Sequence, residues 1–275
     1  GHTTNKSFSR IGMKEMKTNS TLSVAIVMLA ACCPASPGAE GADWPQYLGP
    51  DRNAISQETG LLRSWPEAGP KVLWTISLGA GYGGAAVSKG KVYILDRASD
   101  DKDVLRCLDL NTGKEQWTYE YEAPGRVQHP GSRSTPTIDR DYVYTCGSFG
   151  DVYCFDTNTH QPVWKKNVWK DYEQGSGPRW AISQNPLIYG DLLILASQTP
   201  KVGVVAYDKL SGQVKWTSPP LAGRVGYVSP SIVKIAGSDH VVMVSAGARG
   251  GPSGVVVGID PKTGKTLWTY EGWSC

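Results

Sequence analysis

The sequence predicts an all-β chain, a β-propeller of four-stranded antiparallel blades. Three observations predict it. One signature, D-x-x-S/T-G/H-x-x-x-W, occurs four times: Asp109 with Trp117, Asp156 with Trp164, Asp208 with Trp216, and Asp260 with Trp268. The Asp residues lie 47, 52 and 52 positions apart, a period at which units stack as repeats. Each copy follows a run of β-branched and aromatic residues, and a second such region lies further upstream.

Each signature is a hairpin. The runs 104–108, 152–155, 204–207 and 255–259 read as strands. The Asp carboxylate then accepts backbone N–H groups two and three residues on, helped by Ser or Thr. Gly113, Gly212 and Gly264 supply a positive φ. His160 stands at that place in the second copy. A ligand or base role is weighed there against tolerance of left-handed backbone, and the repeat favours the backbone reading. Upstream, residues 85–95, 135–146, 185–195 and 229–244 supply two more strands per unit, with Pro136, Pro186 and Pro230 at three of the starts. Four strands in about 50 residues make a propeller blade. The Trp at a fixed place in each blade suits blade-to-blade contact.

The hairpin signature resembles the pyrroloquinoline-quinone (PQQ) repeat, whose core reads A-x-D-x-x-T-G-x-x-x-W, and the resemblance covers residues 71–275. The leader Trp44-Pro-Gln-Tyr-Leu48-Gly-Pro-Asp-Arg-Asn53 is similar to the W-P-x-F/W-R-G-P-x-R-x-G opening of PQQ-like propeller proteins of planctomycetes, with Leu48 in place of Arg. That repeat is found in quinoprotein dehydrogenases. It is also found in proteins without quinone, including the propeller lipoprotein of outer-membrane β-barrel assembly, so fold does not settle function.

Along the chain, residues 1–42 read as upstream residues, a signal peptide and a linker. Lys14 and Lys17 precede an apolar run from Leu22 to Ala31, which is too short to span a bilayer. Leu29-Ala-Ala-Cys32 fits a lipobox, making Cys32 a candidate lipidation site, with an ordinary cleavage site as the alternative. Residues 43–70 form a Pro/Gly-rich extension, expected to be pinned across the propeller by Trp44, Leu61, Leu62 and Trp65. Residues 71–275 hold the blades. Residues 71–78 read as one outer strand, so four blades plus one strand of a seven- or eight-bladed ring are expected, a closed four-bladed ring being the alternative.

Composition excludes little. The net charge is +3. Residues 1–42 hold four basic and two acidic residues, so the remainder carries +1, and nothing supports a nucleic-acid surface. Cys107, Cys146 and Cys154 align with small or apolar positions of the other copies and read as packing residues. An odd-length loop around Phe149-Gly150 would put Cys146 and Cys154 on one face and allow a bridge; a two-residue loop would not. The cysteine spacings match no zinc site.

Loops leading into the first strand of each blade gather on one propeller face. They hold Tyr82; Arg126, Gln128, His129 and Arg133; Arg179, Trp180 and Gln184; and Arg224 and Tyr227, with Arg249 in a nearby loop. Arg in three consecutive blades fits an anionic ligand or a carboxylate-bearing partner. Pairing with local carbonyls and acids is the competing account. The expected partner is a protein, peptide or glycan, with no cofactor and no metal. The dehydrogenase resemblance implies instead PQQ with calcium, a catalytic Asp, a Glu/Asn/Asp metal site and often a disulfide of adjacent cysteines. Here Cys32-Cys33 is the only adjacent pair. Asp100-Asp-Lys-Asp103 reads as a solvated hairpin loop. There is no Ser-His-Asp order, phosphate loop or convincing carboxylate pair, so no catalytic residue is assigned.

Overall fold

Successive strands pair antiparallel into four separate sheets, as the repeat predicts. The computed structural model describes residues 42–173, 175, 177–247 and 253–273. Blade 1 holds β1 (Ala86–Ser88), β2 (Lys91–Ser99), β3 (Lys102–Asp109) and β4 (Glu115–Glu122). Blade 2 holds β5 (Thr137–Asp139), β6 (Tyr142–Cys146), β7 (Asp151–Asp156) and β8 (Gln161–Asn167). Blade 3 holds β9 (Leu187–Tyr189), β10 (Leu192–Ala196), β11 (Val204–Asp208) and β12 (Val214–Thr217). Blade 4 holds β13 (Ser231–Ile235), β14 (Ser238–Val244), β15 (Gly254–Ile259) and β16 (Thr266–Trp273). β1 meets β5, and β5 meets β9, so the first strand of a blade is its inner one.

Alternation along the strands builds a core between each pair of blades. Leu95 and Leu105 of blade 1 pack with Val143, Tyr153 and Phe155 of blade 2. The other face of blade 2, with Tyr144, Cys146, Val152 and Cys154, packs on Leu193, Leu195 and Tyr207 of blade 3. Ile194, Val204 and Trp216 then meet Val241, Met243 and Ile259 of blade 4. Burying one such side chain contributes about 1.5–3 kcal/mol.

The Asp turns form as the sequence predicts. Asp109 Oδ1 accepts from Asn111 N, Thr112 N and Thr112 Oγ1 at 3.1, 2.8 and 2.8 Å. The carboxylates of Asp156, Asp208 and Asp260 likewise accept the N–H groups two and three residues on, and Asp208 also accepts from Ser211 Oγ. These bonds hold the carboxyls of Asp109, Asp156 and Asp208 below their ordinary pKa, with the Thr112 hydroxyl the largest cause for Asp109. His160 has φ 60° and is a turn residue.

Two of the repeat Trp residues bond the next blade's turn, while Trp268 Nε1 donates to His240 Nδ1 of its own blade at 2.8 Å. Trp164 Nε1 donates to Lys209 O at 3.0 Å and Trp216 Nε1 to Pro261 O at 3.0 Å. A Cβ on Gly212 or Gly264 would lie 2.7 or 2.5 Å from those rings. Trp117 differs because His160 stands in the Gly place. Its ring stacks on the imidazole at 4.9 Å and its buried Nε1 has no partner. Within each blade the Trp faces a small residue of the third strand, Cys107, Cys154, Ala206 or Gly258, and a register shift follows at that point in all four.

Four expectations need correction. Residues 71–78 form no strand. Trp74 nevertheless donates to Leu110 O at 2.8 Å and covers Gly113, the contact that other Trp residues make one blade on. Leu61, Leu62 and Trp65 are exposed, so they do not pin the extension. Trp44 does, through paired backbone bonds with Val87, and Pro45 O accepts from Ile138 N. Arg52 completes the strap by donating to Pro186 O at 3.1 Å and Pro230 O at 3.3 Å. Asp103 is not solvated: it is fully buried and paired to Arg97 at 2.7 Å. Gln184 is also buried, its amide bonded to both backbone groups of Ala196.

Cys107, Cys146 and Cys154 are free and buried. The five residues 147–151 separate the paired Cys146 and Val152, an odd connection, and Tyr144 lies opposite Cys154, so both thiols share a face without facing each other. Burial pushes the Cys154 thiol up to about 12 and Cys146 higher still. Among the described residues no helix is long and apolar enough to cross a membrane. Cys32 and Arg249 lie outside the described residues.

Candidate functional site: the loop face

The blade-to-blade loops 123–136, 168–186 and 218–230 emerge at the end opposite the Asp turns. A serine just past the second strand of a blade anchors each loop. Ser148 Oγ donates to Gly131 O at 2.7 Å and Ser197 Oγ to Val168 O at 2.8 Å, while Ser245 Oγ donates to Ala222 O. A polar step before the first strands links neighbouring blades. Gly84 N donates to Thr135 Oγ1, Thr135 N to Asn185 Oδ1, and Asn185 N to Ser229 Oγ. These are residues that the sequence reading missed. Their signal is visible in the alignment of repeats as Thr, Asn or Ser before Pro136, Pro186 and Pro230.

Arg97 is the buried support beneath the first loop. Its guanidinium pairs with Asp103, donates to Ala123 O at 2.8 Å and Gly125 O at 2.9 Å, and bonds Asp100 O. The Phe149 ring lies 4.8 Å from it. Burial raises Asp103 to about 6, with Arg97 opposing the rise and Asp151 adding to it.

On this scaffold the expected residues come together in three open clefts. Arg126 and Arg179 line one of about 400 Å³ with Phe149 and Trp169. Tyr82, His129, Arg133, Trp180 and Ser183 line a second of about 470 Å³. Arg179, Trp180, Arg224 and Tyr227 line a third of about 540 Å³. Trp180 is shared by the second and third, and Arg179 by the first and third. The Trp180 and Tyr227 rings lie 5.4 Å apart. Tyr227 and Ala181 adopt positive φ of 54° and 66°, a backbone state that costs non-Gly residues about 1 kcal/mol or more each.

The arginines divide between the two accounts. Arg126 pairs with Asp100 at 2.7 Å across exposed surface, which contributes little. Arg133 donates to Gly131 O at 2.6 Å and to His129 O, beside the Tyr82 ring at 5.5 Å. Arg224 donates through Nε and Nη2 to Gly247 O at 3.2 and 2.8 Å. Arg179 has no acidic partner among the described residues and sits 6.0 Å from the Trp180 ring. Among the described residues no Asp or Glu lines the second or third cleft.

Stacked four-stranded blades with repeated Asp–Trp hairpins define a propeller of PQQ-type repeats. The family profile described as outer membrane protein assembly factor BamB matches residues 101–272, and the chain belongs to that family. BamB from Moraxella catarrhalis aligns in structure with a TM-score of 0.54 and 23% identity, covering 74% of this chain and 55% of that one. Quinohemoprotein alcohol dehydrogenase from Comamonas testosteroni aligns with a TM-score of 0.55 and 19% identity, over 86% of this chain and 42% of that one. At such identities these likenesses show the fold. In sequence, the quinoprotein alcohol dehydrogenase PedH of Pseudomonas putida is 25% identical over 175 residues, covering 61% of this chain and 28% of the relative. The glycerol dehydrogenase large subunit of Gluconobacter oxydans is 23% identical over 268 residues, 86% of this chain and 33% of the relative. The chain thus spans about a third or less of these two relatives.

Among the described residues no three His, Cys, Asp or Glu side chains converge on a point. The Cys32-Cys33 pair lies outside them.

Proposed function

We propose that this chain is an exported, non-catalytic PQQ-repeat propeller that works as a binding or scaffold module through its loop face. Its place is the periplasm, free or held to the outer membrane by a lipid on Cys32. Its partner is a protein, peptide or glycan bearing negative charge. The observation that carries this reading is the row of Arg126, Arg133, Arg179 and Arg224 beside exposed aromatic rings on one anchored face. The family membership supports it. The dehydrogenase relatives support a second reading, a PQQ-dependent oxidoreductase acting on alcohols or sugars.

Titration with PQQ and calcium, followed by quinone absorbance and dye reduction, separates the two. The expected result is no saturable uptake. Stoichiometric binding with turnover overturns the scaffold reading. For the face itself, the Arg126→Ala/Arg179→Ala/Arg224→Ala variant is expected to lose partner binding, and full retention counts against it.

A further inference from the structure

We infer that the second and third clefts, which share Trp180, together bind a chain of uronic acid units, an acidic glycan. The inference rests on the loop-face reading above and names its ligand class.

Their joint lining runs from Tyr82, His129 and Arg133 past the shared Trp180 to Tyr227 and Arg224. Its two large plates are open to solvent, Tyr82 being 65% and Trp180 50% exposed. They are flat surfaces rather than holes that would take a side chain. The C–H face of a pyranose ring covers such a plate. Each plate also has a guanidinium over its ring, Arg133 at 5.5 Å from the Tyr82 centroid and Arg179 at 6.0 Å from that of Trp180, so a uronate at either plate has a cation near its carboxylate. Arg224 is fixed by Gly247 O through Nε and Nη2, which leaves Nη1 free to donate. Arg133 uses Nη1 and Nη2 on backbone carbonyls, which leaves Nε free. With no Asp or Glu among the described lining residues, the paired clefts are complementary to a carboxylate polymer.

The backbone of the walls argues against an acidic peptide. Peptides docking on β-proteins gain affinity by pairing with a free strand edge. Here Arg224 and Ala246 already exchange both backbone bonds, and Tyr82 N and Gly83 N both donate to Ser132 O. A peptide would be held by side chains alone, whereas a glycan uses ring faces and carboxylates and needs no backbone partner.

The test is titration of the full chain with galacturonic acid hexamer, read by tryptophan fluorescence and calorimetry. Its methyl ester, a neutral galactose hexamer and poly-glutamate are run alongside. The expected result is saturable binding of the hexamer that weakens at least tenfold with the methyl ester, and tenfold in 0.5 M salt. Trp180→Ala and Arg179→Ala, both at exposed positions, should each weaken it at least fivefold with an unchanged melting temperature. Equal binding of the neutral hexamer overturns the charge argument. Binding of poly-glutamate without the hexamer overturns the glycan while leaving the loop face as a binding site. No binding of the hexamer at millimolar concentration overturns the inference, and separate loss of partner binding in the triple Arg variant would still uphold the scaffold reading.

Discussion

Trp216→Ala tests the blade interface most directly. The side chain is 7% exposed, its ring lies where a Cβ on Gly264 would come within 2.5 Å, and its Nε1 bonds Pro261 O at 3.0 Å. Truncating a buried Trp costs about 3–5 kcal/mol, which includes a cavity that rigid β-sheets cannot close. For a domain of this size about 1 kcal/mol corresponds to about 2–4 °C, so the melting temperature should fall by about 6–20 °C. Trp216→Phe keeps most apolar contact and loses the hydrogen bond, so about 1–2 kcal/mol is expected. Trp273, 39% exposed, is the control, and Trp273→Ala should cost under about 1 kcal/mol. Thermal unfolding followed by circular dichroism reads all three. Equal shifts for Trp216→Ala and Trp273→Ala would refute the argument that the Trp seals one blade to the next.

Three further outcomes are expected. Arg52→Ala removes a charged donor from two carbonyls and should cost about 2 kcal/mol, with faster amide exchange in β9 and β13; unchanged exchange there would mean the strap holds nothing. Gly212→Ala should cost clearly more than Gly190→Ala, since both have positive φ but only Gly212 has a ring within 4 Å; equal costs would deny the steric part. Asp103 is raised to about 6 by burial, and Asp151 is raised too. The folded state therefore retains protons that the unfolded chain releases above about pH 4, so stability should fall as pH rises from about 4 to about 6 and then level. Below about 4 the Asp turns, whose carboxyls are depressed, lose their own contribution. Asp103→Asn should flatten the slope between pH 4 and 6, and a melting temperature that rises across that window would contradict the assignment.

What was legible in the sequence is what is local and repeated. Asp109, Thr112 and Gly113 determine a turn with no help from elsewhere, and four copies give the blade boundaries. The Arg and aromatic residues could be placed on one face because topology alone sends those loops there. Burial set by a neighbouring blade was not legible. Asp103 reads as solvated beside Asp100 and Asp101 until Arg97 and the Phe149 ring close over it. Leu61, Leu62 and Trp65 are apolar, yet the strap is held by Arg52 and by backbone bonds at Trp44, groups that hydrophobicity does not mark. Residues 71–78 have strand composition and form no strand. Trp117 shows how one substitution changes a repeated contact: His160 keeps the turn but lifts the indole off its carbonyl.

The indole contacts of Trp74, Trp164 and Trp216 run forward along the chain. Trp74 bonds a carbonyl 36 residues ahead, while Trp164 and Trp216 bond carbonyls 45 residues ahead. During synthesis a completed hairpin therefore holds its indole uncovered until the next turn has been made. The packing of each of these hairpins is thereby tied to the turn of its successor, so a change in one turn is felt by the Trp of the blade before it.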